Sequence, residues 1–60
     1  MKLYEMFLNI EIQNEYKVIY YDYEKEDRVV VDPKNYTDKD IQYLYVDDGI
    51  LYIEIDNEED

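Results

Sequence analysis

Sixty residues make one domain at most, and a chain this short buries only roughly 60% of the surface its unfolded form exposes. Cysteine and histidine are both absent, which excludes disulfides and thiolate or imidazole zinc sites and leaves self-association as the available reinforcement. Seventeen carboxylates against six basic side chains give a net charge of −11, which repels nucleic acid and anionic membrane surfaces and excludes direct binding to either.

In chain order, apolar residues first alternate with a period of two. Tyr4, Met6, Leu8, Ile10 and Ile12 are separated by Glu5, Asn9 and Glu11, so a half-buried strand is expected over residues 4–12. Gln13, Asn14 and Glu15 read as a turn. A second strand over residues 16–23 is rich in Tyr, Val and Ile. Its pairing with the first is open, because loops of three and four residues would turn opposite faces inward. The polar run Glu24-Lys25-Glu26-Asp27 leads into a short third strand at 28–31, stopped by Asp32-Pro33.

Thr37-Asp38-Lys39-Asp40 has the form of a helix-starting capping box, predicting one short helical turn over residues 37–42. Two strands then flank Asp48-Gly49, the strongest short-range hairpin signal. A two-residue turn there sets Asp47 opposite Ile50, Val46 opposite Leu51 and Leu44 opposite Ile53. Leu44, Val46, Leu51, Ile53 and Ile55 share one face, with Tyr43, Tyr45, Asp47, Ile50, Tyr52 and Glu54 on the other. Residues 56–60 form an acidic tail expected to fray. The expected architecture is mainly β, α+β at most: a small antiparallel sheet of about five strands in one domain, residues 1–55.

Ser, His and Cys are all missing, so the common nucleophile–base pairs cannot be built, and no enzyme is expected. One glycine cannot form a phosphate-cradling loop. The carboxylate clusters Asp22-Glu24-Glu26-Asp27 and Asp47-Asp48 match no calcium-loop spacing and read as solvated acidic turns; neither a metal nor a cofactor is expected. Tyr4 and Tyr20 read as core. Tyr43, Tyr45 and Tyr52, opposite the aliphatic face of the last hairpin, suit an interface, where tyrosine adds contact area at low entropic cost.

A domain of this length has a diameter near ~27 Å, over which duplex DNA carries about 16 charges, a density comparable to that of this chain. Strands also space same-face side chains about 6.6 Å apart, as at Glu24 and Glu26 or Glu54 and Asp56. In size and charge the chain resembles the small acidic proteins with which phages block host defence or repair enzymes, including DNA mimics and anti-CRISPR and anti-restriction inhibitors. The resemblance implies a basic, nucleic-acid-binding protein as partner. Contact is expected through Glu24, Glu26, Asp27, Asp47, Asp48 and Glu54, with Tyr43, Tyr45 and Tyr52 as anchors. The alternatives are an antitoxin or immunity protein neutralising a basic toxin, and a homo-oligomeric structural or regulatory module. The apolar start, residues 1–8, is interrupted by Glu5, followed by Asn9 and Glu11, and lacks a small-residue cleavage site, so no signal peptide is expected. No apolar run approaches a membrane span, and richness in Ile, Lys, Asn and Tyr suggests an AT-rich genome. A cytoplasmic location in a bacterial host and a homo-oligomer are expected.

Overall fold

The computed structural model describes residues 1–57. Its elements are a helix α1 (Leu3–Asn9) and strands β1 (Tyr16–Asp22), β2 (Asp27–Val31), β3 (Ile41–Asp47) and β4 (Ile50–Ile55), with a 3-10 turn at Pro33–Asn35. The fold is mainly β, as expected, with four strands rather than about five. Their order across the sheet is β2-β1-β4-β3. Both hairpins are antiparallel, but β1 and β4 pair in parallel at the centre, so the sheet is mixed.

The largest departure lies at residues 4–12, which form α1 and the irregular segment after it instead of a strand. The period-two pattern there overlaps a helical one: Leu3, Met6, Phe7 and Ile10 recur at i, i+3, i+4 and i+7. The sheet decides between them. One of its faces carries Val18, Ile53 and Ile55, and an apolar sheet face needs a second layer over it. Leu3 and Met6 close onto those three residues to form the core, with Phe7, Ile12, Tyr20, Val31, Tyr36, Ile41 and Leu51 packed around it. Tyr20 thus belongs to the core, whereas Tyr4 stays exposed.

A helix of seven residues is too short to persist alone, and its first amides are held from outside. The Leu3 N–H donates to the Lys39 carbonyl (2.9 Å) and the Tyr4 N–H to the Thr37 carbonyl (3.0 Å). The Glu5 carboxylate accepts from the Lys2 N–H at 2.9 Å. The helical turn expected at 37–42 therefore lies elsewhere, at Pro33–Asn35, where the Asp32 side chain accepts from the Lys34 N–H (3.0 Å). Thr37 and Lys39 instead lend their carbonyls to α1, and Asp40 pairs with Lys2 in an isolated bridge.

The Asp48-Gly49 hairpin has the expected register, with Asp47 opposite Ile50, Val46 opposite Leu51 and Leu44 opposite Ile53. Asp48 (φ 51°) and Gly49 (φ 77°) both take the left-handed conformation that such a two-residue turn demands. A bulge between Ile41 and Tyr43 then switches faces. Ile41 thereby joins the core while Tyr43 points to the opposite side. Of the five residues expected on one apolar face, Ile53 and Ile55 are buried and Leu51 half-buried. Leu44 and Val46 share that face but remain 52% and 61% exposed, because β3 lies at the sheet edge.

The tail begins tethered. The Asp56 N–H donates to the Asp40 carbonyl (2.8 Å), and the Asn57 side-chain amide to the Tyr21 carbonyl (2.7 Å). The rest of the tail, residues 58–60, lies outside the described residues. Among the described residues no helix is long and apolar enough to cross a membrane.

Candidate functional site: the open face of the sheet

Alpha1 covers one face of the sheet; among the described residues no element covers the other. Alternation places Arg28 and Val30 of β2 on this open face, then Lys17, Ile19 and Tyr21 of β1. Ile50, Tyr52 and Glu54 of β4 follow, with Tyr43, Tyr45 and Asp47 of β3. Register brings the rings together: Tyr45 lies opposite Tyr52, and their rings stack with centroids 5.3 Å apart at 19°. Tyr21 meets Tyr23 edge-on at 5.1 Å.

One ion pair ties the centre of this face. Arg28 reaches from β2 across β1 to β4, where its Nε donates to the Glu54 Oε1 at 2.5 Å. The Glu54 side chain is only 6% exposed while Arg28 is about half exposed. The guanidinium also sits 5.9 Å from the Tyr21 ring centroid, within cation–π range. The hydrogen bond that Arg28 donates to Glu54, and then the charge of Glu54, hold the Arg28 pKa above its ordinary value, with burial opposing. Ile19 is buried on this face too, between Val30 and Glu54 on the neighbouring strands.

Tyr43, Tyr45, Tyr52 and Glu54 are therefore brought together. Glu54 is a buried structural carboxylate rather than a surface charge, so it forms no exposed row with Asp56. Asp47 lies at the rim of the same face beside Asp48 in the turn. Glu24, Glu26 and Asp27 lie at the β1–β2 turn. The Asp22 carboxylate shapes that turn, accepting from the Glu24 N–H (2.9 Å) and Lys25 N–H (3.3 Å), and Glu26 sits in the left-handed region (φ 54°).

Because β1 and β4 run parallel, the end of β1 and the start of β4 are at opposite ends of the sheet. The two acidic turns are thus separated, with the tyrosine face between them. Among the described residues no three carboxylates come together in a way that could hold a metal ion.

Reasoning from sequence missed Tyr21, Arg28 and Lys17 as members of this face. Both alternating sets of β1 are largely apolar, so its inward side could not be chosen locally, and only the parallel pairing with β4 fixes it. The chain matches no known protein family, no curated protein and no solved structure.

Proposed function

We propose that this chain is a small acidic inhibitor that captures a basic, nucleic-acid-binding protein through the open face of its sheet. The observation that carries this reading is the grouping of Tyr21, Tyr43, Tyr45 and Tyr52 on an uncovered face whose two ends carry acidic turns. Aromatic residues in the middle and charge at the rim is the usual anatomy of a protein-binding surface. The rim supplies long-range attraction and orientation; the rings supply the desolvated contact.

Charge density supports a nucleic-acid groove as the target. The longest dimension is 32 Å, over which duplex DNA carries roughly 19 charges. Of the 17 carboxylates, Glu58, Glu59 and Asp60 lie outside the described residues; the other 14, offset by six bases, are set over that length. A basic groove shaped for phosphates meets a comparable field, and occupying it excludes nucleic acid. That mode of action suits a role against host defence or repair nucleases, encoded by a phage or another mobile element.

The test is affinity capture from lysate of a low-GC bacterium at low and high salt, with and without excess duplex DNA, and with Asp47→Lys/Asp48→Lys as a second bait. Capture of a DNA- or RNA-binding protein that DNA, salt and charge reversal each diminish supports the proposal. Capture that ignores salt and DNA, or that yields no basic protein, overturns it.

A further inference from the structure

The two edges of the sheet are built differently. Natural edge strands protect their unpaired backbone with charge, proline, bulges or brevity. The β2 edge has five residues, carries Asp27 and Arg28, and is followed closely by Pro33. The β3 edge has seven, and from Gln42 to Val46 none is charged, although the whole chain carries −11.

Its backbone is also presented outward. In a two-residue turn the flanking pair is hydrogen-bonded, and such pairs alternate along an antiparallel ladder. Asp47, Tyr45 and Tyr43 thus bond to β4, while Leu44 and Val46 turn their N–H and C=O groups to the edge. Their side chains are exposed as well, and Val46 lines an apolar groove of about 280 Å³ with Met6, Ile10, Ile12 and Leu51.

We infer that β3 pairs antiparallel with β3 of a second copy, joining two sheets into one across a two-fold axis at Leu44 or Tyr45. The strand is complementary to itself face by face. Reversed about Leu44, Leu44 meets its own copy and Tyr43 meets Tyr45, with Val46 opposite Gln42; reversed about Tyr45, Leu44 meets Val46 and Tyr45 meets its own copy, with Tyr43 opposite Asp47. A basic partner finds no carboxylate along this run and is drawn instead to the acidic turns. A second copy needs only the hydrogen bonds and apolar contact that the run offers.

The four side chains bury on the order of 400 Å² per protomer, about half of a standard interface of roughly 800 Å² per partner. The dimer is therefore weak and concentration-dependent. Its salt response is opposite to that of capturing a basic protein: two chains of −11 repel, so screening favours the pair. This inference shares Tyr43 and Tyr45 with the inhibitor reading but is read out by self-association rather than by capture, so the two can fail separately.

Sedimentation velocity over a wide concentration range tests it, at about 0.1 M and about 1 M salt, where screening lengths are roughly 10 and 3 Å. The expected result is a monomer–dimer equilibrium that tightens about tenfold or more at the higher salt. It should weaken at least tenfold in Leu44→Lys and in a synthetic chain N-methylated at the Leu44 amide, a donor that β4 does not use. Circular dichroism of the N-methylated chain checks that the fold is intact, which keeps the test valid if the lysine variant unfolds. A wild-type chain that stays monomeric throughout, or an N-methylated chain that dimerises as well as wild type, overturns the inference.

Discussion

The two faces of this sheet solve the same problem by different chemistry. Beneath α1, Val18, Ile53 and Ile55 are buried by Leu3 and Met6 in an all-apolar cluster. On the open face none of the described residues forms a helix, yet Ile19 and Glu54 at the middle are buried nearly as well. There the cover is made of side chains from neighbouring strands, with the Arg28–Glu54 pair beside them. A second layer can thus be dispensed with over the central strands when long and aromatic side chains lie flat across them. The residues doing so keep one surface toward water, and that surface is available to a partner.

The comparison is broken most severely from the helix side. Ile53→Ala removes the centre of the apolar cluster and should cost about 2–5 kcal/mol. A chain of this length holds only a few kcal/mol in total, so urea denaturation followed by circular dichroism should show the cooperative transition lost or moved close to zero denaturant. A small shift would mean that α1 does not close the core.

On the open face the informative experiment is a double-mutant cycle. Arg28→Met alone strands a buried carboxylate and should destabilise strongly, whereas adding Glu54→Gln should recover much of the loss. Equal effects in the single and double variants would show that the pair contributes little.

Tyr45→Ser should do least to stability, removing a half-exposed stacking partner worth about 0.5–1.5 kcal/mol. If this face is the contact surface, the same change should weaken partner capture at least tenfold, the scale of a hot-spot residue of about 1.4 kcal/mol or more. Loss of stability without loss of capture would assign the tyrosines to packing alone.

Local signals account for what was legible in the chain. Asp48-Gly49 dictates its turn through backbone conformation alone, so the register of β3 and β4 and the shared face of Tyr43, Tyr45 and Tyr52 could be read directly. The first dozen residues could not. Leu3, Met6, Phe7 and Ile10 fit a helix, while Tyr4, Met6, Leu8 and Ile10 fit a strand, and only the apolar sheet face across the fold chooses between them. Glu54 read as one more surface carboxylate, because its partner Arg28 lies 26 positions away on a strand it does not adjoin. The parallel β1–β4 pairing left no local trace, so neither the inward side of β1 nor the separation of the acidic turns was legible.

That central pairing also constrains how the chain folds. The middle of the sheet joins Tyr16 to Leu51 and Ile19 to Glu54, and the helix that closes the core donates hydrogen bonds to the carbonyls of residues 37 and 39. Each hairpin is a local event, but neither can bury its apolar face until the two dock. Long-range contacts of this kind are slow to form. The β3–β4 hairpin, with its turn conformation encoded in two residues, is the natural nucleus. The β1–β2 hairpin and α1 should condense on it together, in a single cooperative step in which no half of the chain is stable alone.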